Sequence, residues 1–372
     1  MSGEPYWLPG SFLGDTVRDL AGRKRVAVAM SGGVDSSVTA ALLKSEGHDV
    51  FGVTMQVLDD SRRQHIDDAA AVAEHLGIPH HVVDLVEPFR AAVKEYFIEE
   101  YRAGRTPNPC ARCNPLIKFG LLLDAARGLG GDFLATGHYA RVEHRADGTS
   151  RLLKGVDSRK DQSYFLFALS QGQLSQVMFP LGGMTKDAVR KLATEYELPV
   201  KDKGESQEIC FIPDDDYIRF LEDTGGLSGP DGPIITSQGE PIGRHRGTYR
   251  YTIGQRRGLG IAWSEPLYVV GVDASKDEVV VGTKAELYRS GLVAGAFNWL
   301  CRPDSFPLQA VCKIRYRHQP VACEVVELGD GRVEVSFCEP EKSVTPGQAV
   351  VLYDGDVVLG GGWIEMSVKG DG

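Results

Sequence analysis

The sequence predicts an α/β protein: a doubly wound parallel sheet in the N-terminal half, then a small β-rich central domain and a C-terminal β-barrel. Three observations predict it. Short Val- and Ala-rich runs alternate with helix-length segments from Arg25 to Thr136. A Gly-rich loop joins the first such run to the first helix. Beyond Cys210 the helical period gives way to short β-like runs divided by Gly- and Asp-containing turns.

In order, Arg25 to Met30 reads as the first strand. Ser36 to Glu46 reads as a helix, with Val38, Ala41, Leu42 and Ser45 on one face and Gly47 as its stop. Val50 to Met55 is a second strand, Asp67 to Leu76 a helix ended by Gly77, and His81 to Leu85 a third strand. Pro88 to Ala103 predicts a long helix, with Phe89, Val93, Tyr96 and Phe97 near one side. Leu116 to Arg127 is another helix and Asp132 to Thr136 another strand. Gly225 to Gly239 is rich in Gly, Pro and Ser. The β-like runs are Tyr268 to Val272, Glu278 to Val281, Gln309 to Tyr316, Cys323 to Leu328, Arg332 to Phe337 and Ala349 to Tyr353. The organisation expected is an unassigned leader over 1–23, a nucleotide-binding catalytic domain over 24–212, a small central domain over 213–284 and a barrel over 285–372.

The chain has 372 residues, 42% of them hydrophobic, enough for two or three cored domains. A net charge of −10 excludes nucleic-acid binding by bulk attraction and leaves that task to local basic patches. Seven cysteines form no regular framework, and neither a secretory leader nor a membrane span is evident. A cytoplasmic protein with reduced thiols is expected, in which a close cysteine pair is reactive or metal-binding.

Ser31-Gly32-Gly33-Val34-Asp35-Ser36-Ser37 follows a strand and opens a helix. Gly32 and Gly33 let the backbone approach an anion, and the helix start favours phosphate. Ser31, Ser36 and Ser37 add hydroxyls, while Asp35 is suited to Mg²⁺ or to a backbone turn. The loop lacks the Gly-Lys-Ser/Thr ending of a Walker A motif. The bland alternative is a strand–helix turn with a polar cap.

Thr106-Pro107-Asn108-Pro109-Cys110-Ala111-Arg112-Cys113-Asn114 reads as a stiff loop between two helices. A CxxC at a helix start favours thiolate, and Arg112 and Lys118 push the same way. Cys210 sits in Gln207-Glu208-Ile209-Cys210-Phe211-Ile212-Pro213. Any of these thiols could instead be a small buried hydrophobe, the reading favoured for Cys301, Cys312, Cys323 and Cys338. No second CxxC or His pair completes a zinc knuckle. Three basic patches suit RNA: Arg244, Arg246, Arg250, Arg256 and Arg257 with Tyr249 and Tyr251; Lys313, Arg315, Tyr316 and Arg317; and Arg151, Lys154, Arg159 and Lys160.

The glycine loop resembles the PP-loop of ATP pyrophosphatases, which cleave ATP between the α and β phosphates. The N-terminal fold implied is that of the adenine nucleotide alpha hydrolase-like proteins. The ordered set of this loop, the Asn108–Asn114 segment, Ala135-Thr136-Gly137-His138-Tyr139, Lys160-Asp161-Gln162-Ser163-Tyr164-Phe165, Ile209-Cys210-Phe211-Ile212, Thr252 to Gly260 and Arg315-Tyr316-Arg317 resembles the bacterial tRNA-specific 2-thiouridylase (MnmA) family.

The resemblance implies ATP-dependent sulfur transfer to the wobble uridine of Lys, Glu and Gln tRNAs. By it, Ala29, Met30, Ser31, Gly32, Gly33, Val34, Asp35 and Ser36 wrap the ATP phosphates, with Met55 and Gly137 at the nucleotide's border. Asn108, Pro109 and Cys110 meet the target base; His138, Lys160, Asp161, Gln162, Arg315, Tyr316 and Gln348 contact tRNA. Cys113 is the nucleophile-position thiol and Cys210 the persulfide carrier, supplied by a cysteine desulfurase or a sulfur-relay protein. Cys113 then releases the sulfide or closes a disulfide with Cys210.

Cys110 stands where the well-known form of the loop has Asp. That departure opens a second chemistry, an iron–sulfur cluster on Cys110, Cys113 and Cys210. The rival functions are another PP-loop ligase, which explains the loop but not the thiols, and a non-catalytic RNA-binding sulfur or iron–sulfur carrier, which leaves the loop idle.

Overall fold

The computed structural model describes residues 22–59, 63–204, 209–212 and 214–370. Residues 1–21 of the expected leader, and Gln207, Glu208 and Pro213 around Cys210, lie outside the described residues. The chain forms two compact units. One consists of the segment ending at Val86 with Ile117–Ser163 and Leu169–Glu205; the other consists of Glu87–Leu116, Tyr164–Ala168 and the chain from Ser206 onward.

The first unit is built on a five-stranded parallel sheet in the order β3-β2-β1-β4-β7. Its strands are β1 (Arg25–Ala29), β2 (Asp49–Gln56), β3 (His80–Asp84), β4 (Phe133–Ala135) and β7 (Val177–Met178); between β4 and β7, β5 (Ala140–His144) and β6 (Ser150–Lys154) form an antiparallel hairpin. Every pairing within the five-stranded sheet is parallel, with Val26 against Val50 on one side and Phe133 on the other. Helices α1 (Val34–Ser45) and α2 (Gln64–Leu76) follow β1 and β2, as the alternating pattern predicts. Val26, Val28, Val38, Leu43, Val72 and Val189 are buried in one apolar core, the burial that drives a doubly wound sheet.

The second unit begins with one helical rod, α3 (86–102), whose middle turn, Arg90–Lys94, is π-helical. A short helix, α4 (Pro109–Cys113), follows, so the expected thiol loop is itself helical. Pro109 at the first turn explains the difference: its fixed φ suits helix entry, where its missing N–H costs nothing. The predicted helix over 116–127 continues from α4 as a π-helical stretch, Asn114–Leu121, and then α5 (Leu122–Gly128).

The central region pairs β8 (Asp231–Thr236), β9 (Pro241–Arg246), β10 (Tyr268–Asp273) and β11 (Glu278–Gly282) in the order β10-β11-β8-β9. The C-terminal antiparallel barrel comprises β12 (Tyr288–Trp299), β13 (Leu308–Lys313), β14 (Val321–Gly329), β15 (Arg332–Lys342), β16 (Ala349–Asp354) and β17 (Val357–Val368). β12 pairs with both β15 and β17 and so closes it. The expected strand over 309–316 stops at Lys313. Among the described residues no helix is long and apolar enough to cross a membrane.

Candidate functional site

In the first unit's sheet, strand order reverses at β1: β2 lies on one side and the later β4 on the other. The loops leaving the C-terminal ends of β1 and β4 therefore flank a topological switch point, where open α/β sheets bind ligands. The glycine loop occupies that position. Its helix α1 has Gly33 as N-cap, with no side chain bonded over the helix start, so first-turn N–H groups face outward for an anion. Gly32 has φ +65°, and a Cβ there would lie 2.5 Å from the His65 carbonyl oxygen. Ser31 N donates to Ser36 Oγ at 3.2 Å, and the hydroxyls of Ser36 and Ser37 donate to the Gly33 carbonyl at 3.1 and 2.8 Å. Lys203 Nζ donates to the Gly32 carbonyl at 2.9 Å and also bonds Asp68. Since C=O and N–H of one peptide point oppositely, this bond turns the Gly33 N–H away from Lys203. The Lys203 hydrogen bond to Asp68, ahead of other causes, holds the Asp68 carboxyl below its usual range.

Asp35 departs from the metal-ligand role the sequence suggests. Its carboxylate accepts Lys186 Nζ at 2.7 and 2.8 Å and the Tyr139 hydroxyl at 2.8 Å. A buried ammonium already balances this charge, so the residues present do not fit Mg²⁺ on Asp35. Gly137, after β4, packs so tightly that a Cβ would lie 2.8 Å from the Asp35 backbone. Met30 is buried and its carbonyl is held by the Thr54 hydroxyl at 2.9 Å; Met55, at the end of β2, is half-buried. Lys186, Tyr139 and Lys203 were not legible as site residues. The one local signal for Lys186 is its place behind Thr185, the N-cap of α6 (Lys186–Glu195).

Several expected tRNA contacts also carry hydrogen bonds within the fold. His138 is buried. Its Nε2 lies 3.3 Å from Lys118 Nζ and its Nδ1 lies 2.6 Å from Thr136 Oγ1. An ammonium only donates, so Nε2 accepts and Nδ1 carries the proton. Burial first, then the Lys118 charge, holds the imidazole pKa well below its ordinary value. Asp161 is buried, accepting from Gly155 N and Ser163 N at Oδ1 and from the Ser163 hydroxyl at Oδ2. Gln162 exchanges hydrogen bonds with the Tyr139 backbone. Lys160 is half-buried.

In the second unit, Asn108 caps α4, its Oδ1 accepting from Ala111 N at 3.2 Å. Asn114 anchors the far end by donating to the Phe165 carbonyl at 2.9 Å. Gln348, expected to touch tRNA, clamps the segment before α4: its Nε2 donates to the carbonyls of Thr106 and Pro107, both at 3.0 Å. Cys110 is exposed and Cys113 half-buried. Arg112 lies over the Tyr96 ring at 5.1 Å, and Lys118 bonds His138. Cys210 is exposed, and the next residue, Phe211, fits among Phe89, Phe97 and Phe220 with ring centroids 5.7, 5.4 and 5.2 Å away. Helix α4 packs on the π-helical turn of α3. Both thiol-bearing segments are thus seated on one rod. Among the described residues no group of three His, Cys, Asp or Glu side chains is gathered to hold a metal. Cys110, Cys113 and Cys210 are thus not gathered as a metal-ligating set among the described residues.

Tyr316 stacks on Phe165 with centroids 4.5 Å apart, and half-buried Arg315 donates to the Lys342 carbonyl at 3.3 Å. Lys313 is buried over the rings of Tyr164 and Tyr316. In the central patch Arg244, Arg246, Arg256 and Arg257 are exposed, but Arg250 pairs with Glu222. The two tyrosines expected to stack on bases do not face outward. Tyr249 is buried with its hydroxyl on Glu222, and half-buried Tyr251 packs on His245.

A nucleotide loop at a sheet switch point, followed by a small β region and a barrel, defines a multidomain ATP-pyrophosphatase-type protein. Family models match all three parts: "tRNA methyl transferase HUP domain" over 24–214, "tRNA methyl transferase PRC-barrel domain" over 218–283 and "Aminomethyltransferase beta-barrel domain" over 289–364. The chain is 58% identical to the tRNA-specific 2-thiouridylase MnmA of Geotalea uraniireducens, over 93% of this chain and 96% of that protein. It is 58% identical to that of Geobacter metallireducens, over 93% and 98%, and 48% identical to that of Carboxydothermus hydrogenoformans, over 93% and 99%. The chain belongs to the tRNA-specific 2-thiouridylase family.

Proposed function

We propose that the protein uses ATP to replace the 2-oxygen of a wobble uridine in tRNA with sulfur. The observation that carries this reading is the preformed phosphate cradle at the sheet's switch point, in a chain of this family whose two thiol segments share one supporting helix. Ser31 to Ser36 hold the triphosphate, with charge on the leaving pyrophosphate met by the start of α1. The uridine O2 attacks the α-phosphorus, the bond to the β-phosphate oxygen breaks, and the N3 proton is lost. AMP is then a good leaving group at C2. A persulfide on Cys210, charged by a cysteine desulfurase or sulfur-relay protein, attacks C2 through its outer sulfur and AMP departs. Cys113 thiolate attacks the Cys210 sulfur; the S–S electrons stay with the base sulfur, which regains a proton at N3. The resulting Cys113–Cys210 disulfide is reduced by a cellular thiol. Cys110, beside Asn108 and Pro109, faces the target base. The Lys, Glu and Gln tRNAs are the substrates and the cytoplasm the compartment, and Mg²⁺ arrives on the nucleotide's own phosphates.

Mass spectrometry of tRNA nucleosides after incubation with ATP, a cysteine desulfurase and cysteine as the persulfide source tests this. We expect 2-thiouridine only with ATP, and pyrophosphate release that needs tRNA and ATP together. Release that ignores tRNA would instead mark another PP-loop ligase; no release with tRNA would mark a carrier. The test is repeated on Cys→Ala variants at 110, 113 and 210.

A further inference from the structure

The loop joining β9 to β10 is firmly built although it has little regular structure. Gly254 N donates to Val269 O at 2.8 Å and Val269 N to Gln255 O at 2.9 Å, tying its two ends together. Gln255 Nε2 donates to the Arg257 carbonyl at 3.0 Å. Gly258 and Gly260 take positive φ, which lets the chain reverse twice. Between and beyond them Leu259 and Ile261 pack against the core of Ile234, Val269 and Val279. Ile261 lies on β9, where a Cβ at Gly243 would be 3.2 Å away.

This anchored loop presents Arg256, Arg257 and Trp263 outward. Trp263 is 46% exposed. The other described tryptophans have partners: Trp299 packs on Phe297 and donates to Glu327, and Trp363 packs on Tyr96 and Phe167. Among the described residues no hydrogen bond or ring contact engages Trp263, and no carboxylate pairs with Arg246, Arg256 or Arg257. From Arg244 to Asp273 five arginines face one intervening acid, Glu265. An exposed indole keeps apolar area in water, and unpaired guanidinium groups await anions. A partner with both planar apolar faces and closely spaced negative charge satisfies the two together, and single-stranded nucleic acid has that chemistry.

We propose that Trp263 is a stacking platform for an unpaired tRNA nucleotide, with Arg256 and Arg257 taking adjacent phosphates. This rests on tRNA being the substrate and adds a contact point for it outside the nucleotide and thiol sites. The test is binding of fluorescently labelled tRNA to the full chain over a salt series, for wild type, Trp263→Ala, Trp263→Phe and the pair Arg256→Gln/Arg257→Gln. We expect Trp263→Ala to weaken binding about tenfold with its salt slope unchanged, and Trp263→Phe to stay within about threefold of wild type. The arginine pair should lower the log–log salt slope by roughly one to two units. Thermal midpoints should match wild type, because the substituted side chains lie outside the core. Wild-type affinity in Trp263→Ala overturns the inference, whichever other partner that variant fails to hold; so does an equal loss in Trp263→Ala and Trp263→Phe. Failure of the wild-type chain to bind tRNA overturns the proposed function as well.

Discussion

The phosphate loop and the thiol helix are fixed in opposite ways. Around the loop the restraints are ionic and come from far along the chain: Lys186 on Asp35 and Lys203 on the Gly32 carbonyl. Around α4 they are neutral: Asn108, Asn114 and Gln348 act through amide hydrogen bonds, and rings seat the Cys210 segment. The difference teaches what each region must tolerate. A triphosphate brings a large negative charge, so the residues that meet it are neutralised beforehand by fixed cations. The supports of α4 are amide hydrogen bonds and rings, which do not depend on the charge state of the thiols.

The largest effect should come from chemistry that no support can replace. Cys113→Ala or Cys210→Ala should lower tRNA thiolation by at least about a thousandfold, as loss of a nucleophile does, while ATP affinity stays at the wild-type value by calorimetry. ATP binding that fails in these variants would erase the division between the two regions.

Next is the ionic clamp. Lys186→Met leaves Asp35 without its ammonium. A fully buried broken pair costs roughly 3–5 kcal/mol; the Asp35 side chain is 33% exposed, which lowers the expectation to about 2 kcal/mol in chemical denaturation. Adding Asp35→Asn should recover part of that loss, and a double variant no more stable than the single one would count against charge balance as the cause.

Gln348→Ala removes both amide bonds to Thr106 and Pro107 and should cost about 1–2 kcal/mol. It should slow sulfur transfer several-fold and leave the KM for ATP unchanged; a raised KM would mean the two regions are not separately supported.

The smallest effect is on pH dependence. The folded protein holds His138 neutral, because its pKa lies well below 6.5. The unfolded chain takes up that proton as pH falls through about 6.5. Stability is therefore full above that value and declines below it, by at most about 1.4 kcal/mol per pH unit. Unfolding midpoints at pH 7.5 and 5.5 should show the decline, and His138→Gln should flatten it.

What could be read from the chain was what local pattern encodes. A strand, two glycines and a helix start were legible because each acts over a few residues. The barrel's closing strands were missed for the opposite reason. Gly360, Gly361 and Gly362 carry no strand signal in the sequence, yet they lie inside β17. A Cβ at these positions would lie 2.4 Å from the Asn298 carbonyl, 2.7 Å from Phe167 and 2.8 Å from Phe297. Their absence of side chain answers neighbours distant in sequence. The internal partners of Asp161, Gln348 and Tyr249 were equally invisible: a polar side chain in a motif looks the same in sequence whatever it bonds in the fold. The amphipathic stripe of α3 was visible, but its service to both Cys113 and Cys210 was not, since that depends on tertiary contacts of Phe211 and α4.

That stripe has a mechanical consequence. Parts bolted to a common beam drift together when the beam vibrates, so their separation varies less than either position does. For the proposed sulfur transfer, which would tolerate little error in reach, helix α3 gives the Cys113 and Cys210 segments a shared frame of motion. Enzyme damaged by softening this beam would still accept ATP but would misplace both thiols at once.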